Sequence, residues 1–128
     1  MIAGIGVDAV SIDNMKRIIE SSGSLDKSAF VSHTFTRREI EEAGGNAAEY
    51  LAARFAVKEA VFKALAHLLP EKTFDLRLIE SSHHEDGSPY VVINEFTSGL
   101  MEKANVRSLE LSVTTEDNMA IAFVVAEG

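Results

Sequence analysis

Arg54-Phe55-Ala56-Val57-Lys58-Glu59-Ala60-Val61-Phe62-Lys63-Ala64 is the stretch on which the fold turns. It lies inside a run from Leu51 to Leu69 whose apolar residues fall nearly all round a helix, the pattern of a core helix rather than a surface one. Only Arg54, Lys58, Glu59 and Lys63 are charged there. At about 100° per residue, Glu59, Lys63 and His67 form one row at i, i+4 and i+8, bordered by the small side chains of Ala52, Ala56 and Ala60. Charge on an otherwise buried helix has to be paired, to hold a metal, or to face a cleft. The alternative for Glu59 and Lys63 is a plain i,i+4 ion pair, worth a few tenths of a kcal/mol.

Working outward, a second carboxylate stands near the N-terminus. Met1 to Ile12 reads as an opening strand with Ile5 and Val7 on one face and Gly4, Gly6 and Asp8 on the other. Two glycines weaken a strand, so on the parity of a carboxylate they imply that something approaches the backbone closely. A bulge, with Asp8 merely ending the strand, is the other reading, because a lone GxG is a weak signal.

The rest of the chain supplies an α+β pattern. Ser11 to Glu20 reads as a helix with the apolar stripe Ile12, Met15, Ile18 and Ile19, and Ser11 as its N-cap. Phe30 to Phe35 reads as a loop or short turn. Thr36-Arg37-Arg38-Glu39 matches a capping box, so a short helix begins at Thr36 and ends before Gly44-Gly45. The long helix runs from about Ala47 to Leu69, where Pro70 stops it. Phe74 to Glu80 alternates like a strand, Asp86-Gly87 marks a turn, and Pro89 to Asn94 returns, giving a hairpin. Thr97 to Ala104 is a short helix, and Ser108 to Thr115 and Met119 to Ala126 are two further strands. That order gives one α+β domain, residues 1–128, with helices packed on an antiparallel sheet.

With 128 residues, 46% hydrophobic and 25% charged, the chain suits a single globular domain with a real core. No apolar run approaches the roughly 18 residues of a membrane helix, and the N-terminus lacks a charged region before an apolar one, so no membrane and a cytoplasmic setting are expected. The absence of cysteine excludes disulfides, thiolate catalysis and cysteine-ligated zinc. A net charge of -8 argues against nucleic-acid binding. His83-His84 beside Glu85 and Asp86 reads as exposed loop rather than a metal cluster, since adjacent strand residues point to opposite faces.

Gly4-Ile5-Gly6-Val7-Asp8, followed by Leu51-Ala52-Ala53-Arg54-Phe55-Ala56-Val57-Lys58-Glu59-Ala60 and Lys63-Ala64, resembles holo-acyl-carrier-protein synthase, the short single-domain type of 4'-phosphopantetheinyl transferase. The resemblance runs the length of the chain. It implies an enzyme of lipid and fatty acid biosynthesis that moves the 4'-phosphopantetheine arm of coenzyme A onto a serine of acyl carrier protein and releases 3',5'-ADP. It implies magnesium (Mg2+) held by Asp8 and Glu59, which are also the catalytic residues, with Glu59 taking the serine proton. Lys63 is directed at coenzyme A phosphates, Arg54 at a nucleotide phosphate in forked geometry, and Pro89 borders the adenine. Lys58 serves either coenzyme A or a structural ion pair. The family is typically a homotrimer with its site between subunits. An acidic transferase meets an acidic carrier through local positive charge, and Lys16-Arg17 and Arg37-Arg38 are the only paired basic residues.

Three positions depart from that family. Leu65-Ala66-His67-Leu68-Leu69-Pro70 holds no glycine where the family opens a Gly-Thr-Gly loop, so the helix is expected to run on. Thr115 stands at the family's late histidine. Asn14 stands at an expected arginine, with Arg17 one turn later. These departures support the alternative of an impaired family member that acts as a binding or scaffold subunit.

Overall fold

The computed structural model describes residues 1–128. Strand β1 (Ile2–Ser11) leads directly into α1 (Ile12–Ser21), whose N-cap is the Ser11 side chain accepting from the Asn14 amide. Then come α2 (Ala29–Thr34), α3 (Arg37–Glu42) and the long α4 (Ala47–Leu65). A short hairpin of β2 (Ser81–His83) and β3 (Pro89–Val91) precedes α5 (Glu95–Ala104), and the chain closes with β4 (Ser108–Glu116) and β5 (Met119–Glu127).

The main sheet has the antiparallel order β1-β5-β4, with Gly6 opposite Val124, Asp8 opposite Ala122 and Leu111 opposite Val124. Its inner face carries α4. Ala56, Ala60 and Ala64 meet Ala122, Val124 and Ala126 in one buried cluster, and small residues on both sides allow close approach. Gly4 and Gly6 take that approach to its limit. A Cβ on Gly4 would lie 2.1 Å from the Ala64 carbonyl oxygen, and one on Gly6 1.9 Å from that of Ala60. What approaches the glycine strand is therefore the backbone of α4. The two glycines seat the helix so that Asp8, two residues on, comes level with it.

Several elements depart from expectation for visible reasons. Phe30 to Phe35, expected as a loop or short turn, is mostly helix, because the Ser28 side chain caps α2 by accepting from the Val31 amide. The helix over 47–69 ends at Leu65. Ala66–Leu68 tightens into a 3-10 turn, so the α-helix stops where the family loop opens, although no glycine is present. Phe74 to Glu80 is not a strand. Leu76–Leu78 is a 3-10 turn, its backbone folded round the ammonium of Lys58, which takes the carbonyls of Leu76, Arg77 and Ile79. The capping box at Thr36 and Glu39 forms as read.

The outer face of the sheet is apolar and uncovered. Ile5 is 58%, Val7 53% and Phe123 43% exposed, and Val7 pairs directly with Phe123. No helix is long and apolar enough to cross a membrane.

Candidate active site

Asp8 lies within β1, paired opposite Ala122, and meets α4 through the side chain of Lys63. The Lys63 ammonium donates to Asp8 Oδ1 at 3.0 Å and to the Val7 carbonyl at 3.0 Å. Lys63 thus pairs across to the strand rather than down its own helix to Glu59. Glu59 sits one turn before it, half-buried, beside Asp8. Its carboxyl is raised above the ordinary glutamate range, first by burial and then by the negative charge of Asp8, with Lys63 acting in the opposite direction. Two carboxylates that sense each other's charge, with a lysine ammonium on one of them, bring groups for cations and for anions to one place.

A cleft of about 420 Å³ opens next to the pair, lined by Asp8 and Glu59 and walled by Phe30, Phe55, Ile18 and Asn14. Phe30 and Phe55 meet edge to face at 5.6 Å. The two rings and Glu59 line the same cleft, and burial is the first cause of the raised Glu59 proton affinity.

The donor set fits magnesium. Asp8 and Glu59 offer oxygen only, and no third acidic or histidine side chain joins them in a metal-holding cluster. Magnesium is commonly held by one or two carboxylates plus substrate phosphates and waters, so two ligands suffice. Burial raises the Glu59 carboxyl first and the charge of Asp8 adds to it; a cation between the two carboxylates would relieve that second contribution.

Three of the residues singled out in the sequence lie elsewhere. Lys58 is corrected to a structural role. Its side chain is 0% exposed, its Nζ pairs with Glu39 Oε1 at 2.8 Å, and its remaining protons go to three carbonyls, so no donor is left for coenzyme A. Arg54 is buried on the far side of α4. It lies 4.5 Å over the Tyr50 ring and bonds His83 Nδ1 at 3.1 Å, outside the Asp8–Glu59 cleft. Pro89 pairs with His83 in the β2–β3 hairpin, also outside that cleft. Thr115 lies exposed near the end of β4. On the surface, Arg17 bonds Asn14, which lines the cleft, whereas Arg37 and Arg38 pair with Glu41 and Glu42 on their own helix. Glu39 was readable only as a cap and His83 only as exposed loop. The signal that both meet α4 was the Tyr50, Arg54, Lys58 spacing of i, i+4, i+8, whose members all face away from Glu59.

Comparisons with known proteins place this fold in a family. A family model described as the 4'-phosphopantetheinyl transferase superfamily matches residues 4–124. A holo-[acyl-carrier-protein] synthase of Thermodesulfovibrio yellowstonii is 39% identical over 127 residues, covering 98% of each chain. The crystal structure of holo-[acyl-carrier-protein] synthase from Neisseria meningitidis superposes with a TM-score of 0.83 at 32% identity, covering both chains fully. An ACPS–CoA complex from Chronobacterium ammoniagenes superposes at 0.71 with 25% identity, covering 97% of this chain and 96% of that one. The chain belongs to the 4'-phosphopantetheinyl transferase superfamily.

Proposed function

We propose that this enzyme is a holo-[acyl-carrier-protein] synthase, transferring the 4'-phosphopantetheine group of coenzyme A to a serine of apo-acyl-carrier protein. The observation that carries the reading is the convergence of Asp8, Glu59 and Lys63 beside one cleft, from a strand and a helix far apart in sequence.

The serine oxygen attacks the phosphorus that bears the pantetheine arm. A phosphodiester forms, the diphosphate bond breaks, and 3',5'-ADP departs. Glu59 accepts the serine proton. Its place on the wall of the cleft, beside Asp8, puts its carboxylate where the serine hydroxyl would enter. Lys63, half-exposed on a flexible stem, swings from Asp8 to a diphosphate oxygen and offsets charge there. Asp8 and Glu59 would hold magnesium, which would neutralise charge that accumulates on the diphosphate oxygens. Phe30 and Phe55 keep water from the serine's approach.

The same proposal extends to assembly. Arg54 and Pro89 lie outside the Asp8–Glu59 cleft of their own chain, so in a homotrimer they serve the nucleotide end of coenzyme A bound at a neighbour's cleft. The uncovered apolar face of Ile5, Val7 and Phe123 supports such a contact between copies. A cytoplasmic setting is part of the same proposal.

The test is direct. Purified protein, coenzyme A, magnesium and an apo-carrier from the same genome should give a carrier heavier by one phosphopantetheinyl group. No mass gain, under conditions where an authentic synthase modifies that carrier, overturns the proposal.

A further inference from the structure

Helix α4 has a second polar row, on the side turned away from Glu59 and Lys63. Tyr50, Arg54 and Lys58 follow one another at i, i+4 and i+8 and grip two other parts of the chain. Towards α3, the Tyr50 hydroxyl donates to Glu42 at 3.2 Å and Lys58 pairs with Glu39 at 2.8 Å. Towards the hairpin, Arg54 meets His83, and Lys58 donates to the carbonyls of Leu76 at 3.3 Å, Arg77 at 2.9 Å and Ile79 at 2.8 Å. Lys58 is the hub, because its single nitrogen touches both partners.

That nitrogen also lies 5.6 Å from the centre of the Phe35 ring. Phe35 is 1% exposed and meets both Phe30 and Phe55 edge to face at 6.4 Å. Phe30 and Phe55 are the wall of the cleft beside Glu59. A continuous set of contacts therefore runs from Lys58 through Phe35 to the catalytic carboxylate, although Lys58 itself reaches no solvent.

The geometry points to Lys58 as a positioning residue for the Asp8–Glu59 cleft: by tying α3 and the Leu76–Ile79 backbone to α4, it fixes Phe35 and with it the Phe30–Phe55 wall. This rests on the functional reading above. Stability alone is a poor reason for the arrangement. Burial drives the proton affinity of Glu39 up and that of Lys58 down, so each partner bears a desolvation cost. Glu39 Oε2 is moreover buried without a partner. An apolar side chain of similar length would avoid those costs but would leave three carbonyls without a donor and α3 without its tether. The charge holds a geometry that packing alone leaves loose.

Two variants separate positioning from mere support. Glu39→Gln keeps an acceptor for Lys58 and for the Thr36 amide, while Lys58→Met with Glu39→Gln removes the hub without leaving a buried charge. Each is assayed well below its melting temperature, with kcat and both Michaelis constants measured. Glu39→Gln should stay within about two-fold of the unmodified protein. The double variant should lose about ten- to a hundred-fold in kcat, the order expected for sub-ångström to ångström misplacement of reacting groups, with the Michaelis constant for the carrier unchanged. A folded double variant with undiminished kcat overturns the inference. Should the double variant not fold, Phe35→Leu decides in its place: it keeps the ion pair, loosens the wall, and must show the same fall in kcat, undiminished turnover again overturning the inference. The unmodified protein is assayed first. Lack of transfer there sinks the functional reading and this inference with it, whereas a difference among variants of an active protein bears on Lys58 alone.

Discussion

Replacing Gly6 with alanine adds one methyl group at the point where β1 and α4 nearly touch. Its Cβ would stand 1.9 Å from the Ala60 carbonyl oxygen and 2.9 Å from the Ala60 carbonyl carbon, both backbone atoms that cannot rotate aside. Restoring ordinary contact at about 3.4 Å requires strand and helix to separate by about 1.5 Å. Overfilling of a packed core typically costs about 1–3 kcal/mol, and a domain of this size holds roughly 5–15 kcal/mol in reserve, so the variant should fold. The separation falls between Asp8 and Glu59, two residues along one element and one residue along the other. Displacements of about 1 Å can cost on the order of a hundred-fold in rate, so transfer should fall far more than stability. Urea denaturation and carrier modification, measured on the same preparation, give both numbers. Gly99→Ala is the control: nothing lies within 4 Å of its Cβ, and within α5 it should stabilise by about 0.5–1 kcal/mol with turnover unchanged. A Gly6→Ala protein with normal stability and normal turnover would refute the argument that this contact sets the carboxylate pair.

Glu59→Gln should abolish transfer yet raise stability in chelator-treated protein. The folded carboxyl binds its proton more tightly than the unfolded one, so the native charge costs stability as pH rises from the ordinary glutamate value through the raised one. The gain should thus be absent in strongly acidic buffer and full above that window, and melting curves across pH read it; a gain confined to acid contradicts the sign. Asp8→Asn should weaken magnesium binding and abolish transfer with the fold intact, by titration calorimetry and assay; unchanged magnesium affinity removes Asp8 as a ligand. Arg17→Glu should raise the Michaelis constant for the carrier at low ionic strength, and added salt should shrink the difference, since exposed charges are screened beyond about 8–10 Å at physiological salt. An unchanged constant at low salt excludes that face of α1 from docking.

Where local chemistry decides structure, the sequence was readable. Thr36 and Glu39 signal a capping box and form one, and Asp86-Gly87 turns the hairpin as its residues dictate. Asp8 and Glu59 were visible as charges in apolar surroundings, but nothing local shows that they meet. Their meeting depends on Gly4 and Gly6 lying under Ala60 and Ala64, a contact spanning more than fifty residues of chain. Phe74 to Glu80 misled for a similar reason. Its alternation is real, yet a lysine almost twenty residues earlier bends its carbonyls into a turn. Lys58 and Arg54 read as site residues because a charge on a core helix announces only that it has a partner, not which one. The glycine-free Leu65–Pro70 segment shows that chain direction can change through a 3-10 turn with no glycine at hand.

A helix that bears chemistry along one side and a tether along the other has no tolerance for a change of register. Deleting or inserting a single residue between Tyr50 and Lys63 would rotate everything beyond it by about 100°. Depending on where the change fell, either Glu59 would turn away from the cleft or Lys58 would be brought out of the core towards it. Point substitutions along α4 can therefore be sampled one at a time, but changes of length cannot. Attempts to lengthen, shorten or graft loops into this protein belong after Leu65 or at the Asp86–Gly87 turn, where no element has two masters.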